Sequence, residues 1–437
     1  MATPGFKTTW VTMDDAKASF NLFCCVCGIG SLAMPSNYAR AGPIYASIAL
    51  GFMIFANTYA AMKLSKAMLA APSSVKTYGD LGEWALGKWG RFFTVISQMG
   101  ENAGMAFAGC MGTIIADAIA VSLLQYKMRG HPSIPKPDVS MHQVLTCFGN
   151  LALAYGASIV IPDLQREHSQ PQRMPRVVLV TMLIISAFFF AVALAGYTAG
   201  GCQLSGNILY SIVDTSNPLG LAPLGFSPNR GAVVMAYMFM QMHITMAIST
   251  LLLPPFYMAE RLILGMHKNH PIVRFNPDQD QAQVEEDLDL VEKYSLRAVC
   301  PTPEEITEEM LRAEYTGTKN KLRYIPLRLA IFAVLVVIAV AAQNKFLDLE
   351  DFTGATAHTV NCMIMPLLIY LRIFWRKMSV LDKGVSMLVM LVCGCAGFYV
   401  MIHVAKELFT PSDDDTLFPY CEMENQDEPY YVRNDTN

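Results

Sequence analysis

The sequence predicts an all-α, polytopic membrane helix bundle. Hydrophobic residues make up 53% of the 437 residues and charged residues only 16%, a balance that a soluble domain of this length does not have. Apolar runs recur along the chain, and each approaches or exceeds the roughly 20 residues that a helix needs to cross a bilayer. Gly, Ser and Pro lie inside two of these runs, which indicates that some of the spanning helices are interrupted.

Nine apolar segments meet the length requirement. They divide the chain into a polar tail at 1–19, a transmembrane region at 20–408 and an acidic tail at 409–437 that we expect to be disordered. An acidic loop at 262–321 interrupts the transmembrane region. The predicted spans are 20–41, 43–70, 92–125, 142–163, 177–200, 229–258, 323–344, 349–374 and 382–407.

The distribution of basic residues predicts that the N-terminus is cytoplasmic. In that orientation most of the 32 Lys and Arg lie in cytoplasmic segments, as the positive-inside rule requires. The first twenty residues lack a cleavable signal, so the first span is itself the first insertion signal. Nine spans then place the C-terminus outside, where an oxidising compartment would allow Cys202 and Cys421 to form a disulfide.

The composition argues against other classes of protein. A formal net charge of −4 offers no basic field for nucleic acid, so no nucleic-acid partner is predicted. The chain has no HExxH or GxSxG motif and no intramembrane carboxylate pair at catalytic spacing, and we therefore predict that it is not an enzyme. No cofactor or metal is predicted, since Cys24, Cys25 and Cys27 have no matching His or Cys cluster.

The run from Asn21 to Gly42 contains the strongest local signal. Gly28, Gly30, Ser31 and Pro35 fall within eight residues of one another. Glycine permits non-helical dihedrals, and broken helix is tolerated in hydrocarbon only where protein buries it or where it lines a cavity. The run therefore predicts an unwound segment from the first glycine to the serine. The alternative is a helix-packing face of small residues.

A second interrupted run follows from Ala154 to Gln165, and the two runs together resemble the amino acid/auxin permease family. The first is similar to that family's first-helix signature, N-x6-G-x-G-x-L-x2-P, and the second to its sixth-helix motif. Ser158 replaces the usual His of the sixth-helix motif, and Ala157 replaces its second Gly. Further matches follow in the family's order at Pro175, Pro254-Pro255, Arg323, Arg328, Gly354-Ala355 and Pro366.

The resemblance implies the inverted-repeat fold of the bacterial leucine transporter, in the APC superfamily, with about nine helices instead of eleven. Only the linker from Tyr126 to Ser140 lies where the family has its fourth and fifth helices. The implied function is secondary active transport of amino acids by alternating access, with H⁺ or Na⁺ as the coupling ion. The alternative is a non-transporting amino acid sensor or an inactive truncated member. The implied location is the plasma membrane or a vacuolar or lysosomal membrane.

The resemblance also implies where the amino acid binds, between the breaks in the first helix and in the sixth-helix motif. Half-helix ends at such breaks suit the carboxylate of the substrate. The implied substrate-binding residues are Cys27, Gly28, Ile29, Gly30, Ser31, Leu32, Tyr155, Gly156, Ala157 and Ser158.

Several polar residues inside the spans are candidates for ion coupling. Asn21 resembles the family's ion-binding asparagine, and its alternative role is a hydrogen bond between helices. Thr245, Ser249 and Thr250 could supply hydroxyl ligands, but such hydroxyls more often bond their own helix carbonyls.

A carboxylate about ten residues into a span, Glu101, marks an ion or proton pathway together with Asn102. The alternative is a structural ion pair with Lys88, Arg91 or Arg166. We expect Asp117 to be interfacial and His243 to bond a neighbouring helix.

Overall fold

The fold is all-helical in the part of the chain that the structure, a computed structural model, describes. The described residues are 11–72, 74–95, 103–215, 217, 219–252, 256, 259–266, 315, 317–341, 345–409 and 416–432. Their α-helices are α1 (Met13–Val26), α2 (Ile29–Leu32), α3 (Met34–Ala70), α4 (Tyr78–Leu86), α5 (Lys88–Val95), α6 (Ala103–Lys127), α7 (Met141–Ala154), α8 (Ile161–Glu167), α9 (Met174–Gly200), α10 (Ile208–Ile212), α11 (Arg230–Leu251), α12 (Thr318–Ala341), α13 (Phe346–Thr353), α14 (Met365–Phe374) and α15 (Val380–Phe409).

The later half of the chain also contains two π-helical segments and the 3-10 helix Met423–Asn425. The π-helical segments are Glu260–Leu264 and Gly354–Ile364, the second of which joins α13 to α14. Among the described residues, six helical stretches are long and apolar enough to cross a membrane. They are Met34–Ala70, Gly109–Lys127, Pro171–Gln203, Asn320–Ala341, Leu347–Phe374 and Val380–Leu408. The predicted spans 20–41 and 142–163 are not among these six, because each is divided into shorter helices.

The first helix is broken where α1 ends and α2 begins. Cys27 has φ −74° and ψ 89°, and Gly28 has φ −139° and ψ −148°. The sequence predicts unwinding from Gly28 to Ser31, but the break is shorter, since Gly30 and Ser31 form the helical turn α2. The physical reason is the Ser31 backbone, whose N–H donates to the Gly28 carbonyl at 3.0 Å and closes that turn.

After the break, the first predicted span continues through α2 into the first turns of α3 and ends just before Gly42, which lies inside α3. This glycine has φ +72° and ψ 161°, a conformation that a residue with a Cβ rarely adopts, and Pro43 follows it. The chain turns there, at the boundary that the sequence places between its first two spans. The sixth-helix motif is broken in a similar way, because α7 ends at Ala154 and α8 begins only at Ile161.

No helix occupies the linker between α6 and α7, all of which the structure describes. Residues 128–140 form turns and one isolated β-bridge, between Pro137 and Cys421. The polypeptide that would form two further helices is therefore not present between α6 and the sixth-helix motif.

The C-terminal tail packs on the bundle, and the expectation of disorder is wrong for residues 416–432. Cys421 forms a disulfide with Cys202, with 5.2 Å between the Cα atoms. Gln203 Nε2 donates to the carbonyls of Asn425 and Glu428, each at 2.8 Å. Phe418 is only 3% exposed. The acidic composition suggested a solvated tail, but burial of this aromatic side chain and the covalent link hold it in place. We call this side of the molecule the disulfide end.

Candidate functional site

The two interrupted helices meet at their breaks. The α2 turn packs against α7, and a Cβ added to Gly30 would lie 2.6 Å from the Cβ of Ala154, the last residue of α7. Only glycine allows the two backbones to approach this closely. The site predicted from two separate motifs is therefore one place in the fold.

His243 of α11 lies against the first break. Its Nδ1 lies 3.0 Å from the carbonyl of Gly109 on α6, the interhelical bond that the sequence analysis expects. In the neutral ring Nδ1 donates that bond, so Nε2 is an acceptor. A Cβ added to Gly28 would lie 3.3 Å from Nε2. Sequence reasoning missed this position beside the break, because no local pattern relates residue 243 to residue 28.

Asp117 lies beside the first break, and the expectation that it is interfacial is wrong. It is 1% exposed, and ten residues, or about 15 Å of helix rise, separate it from the end of α6. Its Oδ2 lies 2.6 Å from Ser31 Oγ, within hydrogen-bond distance. The predicted third span ran from residue 92 to 125, but α6 is described from Ala103 to Lys127. α6 therefore continues two residues past the predicted end at 125, which places Asp117 further from the end of the helix.

The side chains of the sixth-helix motif are used for packing. Tyr155 donates from its hydroxyl to Ser186 Oγ at 3.0 Å, and Ser158 donates to the Cys362 carbonyl at 3.0 Å. A Cβ added to Gly156 would lie 2.9 Å from the ring of His358. The motif's polar side chains are therefore directed to neighbouring helices, and its backbone forms the break.

The remaining predicted substrate residues line the breaks from buried positions. Cys27 and Leu32 are fully buried and Ala157 is 1% exposed. Ile29 lies in α2, but its side chain is not among the described parts of the molecule.

Of the predicted ion-coupling residues, the structure describes the side chains of Asn21 and Thr245. Thr245 is exposed and donates to the Gln241 carbonyl at 2.8 Å, which is the bond within its own helix that we gave as the alternative. Asn21 is half-buried in α1. Ser249 and Thr250 lie in α11 with undescribed side chains, and Glu101 and Asn102 lie outside the described residues.

Two of the cations offered as alternative partners for Glu101 are already engaged. Arg91 pairs with Asp80 at 3.2 Å and with Glu83 at 2.5 Å. Arg166 donates to the carbonyls of Ala71, Pro72 and Val75 at the end of α3, at 2.7 to 3.0 Å.

Polar contacts tie the helices together between the breaks and the disulfide end. Arg40 of α3 forms an ion pair of 2.6 Å with Asp351 of α13, and both side chains are at most 6% exposed. The ring of Tyr420, in the docked tail, lies 5.2 Å from the Arg40 guanidinium. Asn37 donates to Asn150 of α7 at 2.9 Å. These contacts join α3, α7, α13 and the docked tail between the breaks and the disulfide end.

The opposite end of α1 carries a cavity of about 420 Å³ between α1 and α9. Asp15 lies on its wall and pairs with Arg173 at 2.8 Å and with His168 at 3.1 Å. Burial raises the pKa of Asp15, but hydrogen bonds from Thr12 and the charges of Arg173 and His168 outweigh it, so the pKa is lowered overall. The last residue of α1 that lines the cavity is Phe23, so the cavity does not reach the helix breaks.

Comparison with known proteins identifies one matching family. The family model for "Transmembrane amino acid transporter protein" matches residues 13–116 and 106–409, two overlapping segments that together cover most of the chain. No curated protein matches the chain.

Proposed function

This chain belongs to the family of transmembrane amino acid transporter proteins, and from that premise we propose that it carries amino acids by alternating access around its two helix breaks. Membership makes the chain an integral membrane protein and amino acid transport its general function. The observation that carries the finer proposal is the close contact of the two breaks, at Gly30 and Ala154. Discontinuous helices that meet in this way form the substrate sites of secondary transporters.

The chemistry of the breaks suits an amino acid. The first N–H groups after a break have no acceptor within the helix, and they are partners for an α-carboxylate. Backbone carbonyls before a break accept from an α-ammonium group. We infer that the backbones of Cys27–Leu32 and of Tyr155–Ser158 contact the substrate, and that H⁺ or Na⁺ drives transport. The proposed orientation has a cytoplasmic N-terminus and an extracytoplasmic disulfide end.

The test is uptake of a labelled amino acid mixture by proteoliposomes that contain the full chain. Parallel runs omit the proton gradient or replace Na⁺ with choline, and vesicles without protein give the background. Uptake that disappears with one gradient supports the proposal and names the ion.

Absence of uptake by folded protein would contradict transport and favour the sensor or inactive form. The observation behind that second candidate is the linker at 128–140, which contains no helix where the sequence analysis places the family's fourth and fifth. A rise in melting temperature on addition of amino acids would then distinguish the sensor from the inactive form, since only the sensor binds amino acids.

A further inference from the structure

The carboxylate of Asp117 is buried with one described partner. Its Oδ2 contacts Ser31 Oγ at 2.6 Å, and its Oδ1 has no hydrogen-bond partner among the described residues. An ionised carboxylate in an apolar interior carries a large desolvation cost unless a cation or several donors pair with it. This environment favours the neutral, protonated acid when no other cation is bound.

In the described part of the chain, the helices packed against α6 supply no Lys or Arg beside Asp117, and the imidazole near the break, His243, has its described hydrogen bond with the Gly109 carbonyl and not with Asp117. These helices are α1, α2, α9, α10 and α11. Within the described residues, Asp117 forms no ion pair with any group that they or α6 itself carry. The titratable and charged groups concerned are Asp14, Asp15, Lys17, Cys24, Cys25, Cys27, Cys110, Tyr126, Lys127, Arg176, Tyr197, Tyr210, Arg230, Tyr237 and His243.

The cations among these groups lie near helix ends. Arg230 begins α11, Lys127 ends α6, Arg176 is the third residue of α9 and Lys17 is the fifth residue of α1. The thiol of Cys27 interacts electrostatically with Asp117, but a thiol is neutral or negative and cannot compensate the charge.

The Ser31 hydroxyl has two acceptors within reach and only one hydrogen. Ser31 Oγ lies 2.9 Å from the Gly28 carbonyl as well as 2.6 Å from Asp117. If Asp117 is ionised, the single hydrogen can serve only one of them. If Asp117 is protonated, it donates to Ser31 Oγ and Ser31 donates to the Gly28 carbonyl, so both contacts are hydrogen bonds. The observed pair of distances fits the protonated acid.

We propose that Asp117 binds the coupling proton and that Ser31 transmits its protonation state to the break in the first helix. Protonation adds a hydrogen to the Asp117 carboxylate and, through Ser31, stabilises the α2 turn that closes on Gly28. Loss of the proton draws the Ser31 hydrogen to Asp117 and removes its bond to Gly28. Symport requires that the amino acid bind more tightly to this same conformation of the break, so that proton and substrate are linked. This inference rests on the proposed function and assigns its coupling ion.

The first experiment compares accumulation with exchange in proteoliposomes, using the amino acid that the uptake screen identifies. For one proton per substrate, a gradient of one pH unit drives at most about tenfold accumulation. Asp117→Asn keeps a donor for Ser31 but cannot release a proton, so we expect accumulation near onefold while counterflow exchange of labelled for unlabelled substrate persists. Ser31→Ala leaves the acid in place and should lower accumulation relative to exchange.

Ser36→Ala is the matched control for Ser31→Ala. Ser36 is also buried and also donates to a carbonyl three residues earlier, that of Ala33 at 2.8 Å, but it has no carboxylate partner. We expect it to keep the wild-type ratio of accumulation to exchange.

The second experiment detects the proton without transport. Infrared difference spectra of the purified full chain between acidic and neutral pH should contain the C=O stretch of a buried, protonated carboxylic acid. The band should be absent in Asp117→Asn, shifted in Ser31→Ala and unchanged in Ser36→Ala. A band that behaves in this way in a protein without uptake would refute the proposed transport but keep Asp117 as a proton site.

Three results would overturn the inference. Asp117→Asn could accumulate substrate as the wild type does. It could lose exchange together with accumulation, which would make Asp117 a ligand of the substrate ammonium. The infrared band could be missing from the wild-type protein or remain in the Asn variant.

Discussion

Gly30 lies where the interrupted helices cross, and the space there admits no side chain. An added Cβ would lie 2.6 Å from the Cβ and 2.7 Å from the Cα of Ala154. The Cα belongs to the backbone and cannot rotate away, so one of the two helices would have to move. The same contact brings the two predicted halves of the site together, so stability and function depend on one residue.

We therefore expect Gly30→Ala to lower the free energy of unfolding by about 1–3 kcal/mol, as overpacking of a close contact does. Thermal unfolding in detergent micelles measures the change. Gly51→Ala is the control, because Gly51 lies in α3 with no atom within 4 Å of its added Cβ. That variant should be as stable as the wild type or slightly more so, since alanine favours helix. Equal melting temperatures for Gly30→Ala and the wild type would contradict the prediction.

The docked tail is one element that bonds to two segments far from it in sequence. It covers the disulfide end by bonding to two separate segments. Asp138 of the linker donates its N–H to the Tyr420 carbonyl at 3.0 Å, and Tyr430 donates to the Ala199 carbonyl of α9 at 3.0 Å. Burial raises the pKa of Tyr430 to about 12, so its hydroxyl stays a donor at physiological pH. The tail thereby joins the linker to α9.

Loss of the Cys202–Cys421 disulfide should release this tail. The two cysteines are 219 residues apart, and the chain-entropy model assigns such a long loop up to about 5 kcal/mol. We expect Cys421→Ser to melt at a lower temperature and to lose the tail faster in limited proteolysis. Cys395→Ser is the control, since Cys395 is an exposed free cysteine on α15. Equal proteolysis of the two variants would show that the tail's other contacts suffice to hold it.

At the scale of the whole molecule, the Arg40–Asp351 ion pair joins parts of the bundle that are 311 residues apart in sequence. It links α3, which continues the first broken helix, to α13, which packs on α7 of the second. Both side chains are almost fully buried, and Tyr420 of the tail lies over the guanidinium. The pair therefore connects both broken helices to the covering of the disulfide end.

Removal of one partner should cost more than removal of both. Arg40→Met leaves a buried carboxylate without its cation and should lower the free energy of unfolding by about 3–5 kcal/mol. The double variant Arg40→Met with Asp351→Leu removes both charges and should recover most of that loss, because apolar side chains carry no desolvation cost there. Thermal unfolding of the two variants and the wild type tests this order. A double variant no more stable than the single one would contradict it.

The sequence by itself determined the helical membrane class, the turn at Gly42 and the approximate places of both helix breaks. These are local properties: apolar length decides whether a helix can span, and glycine and proline change the backbone where they stand. Tertiary structure alone decided that Asp117 faces Ser31, that His243 lies against Gly28 and that the acidic tail folds onto the bundle. Each of these depends on how helices far apart in sequence rotate and cross, which no local pattern encodes. For this reason the sequence predicts an interfacial position for Asp117, whereas in the fold Asp117 lies buried beside the break.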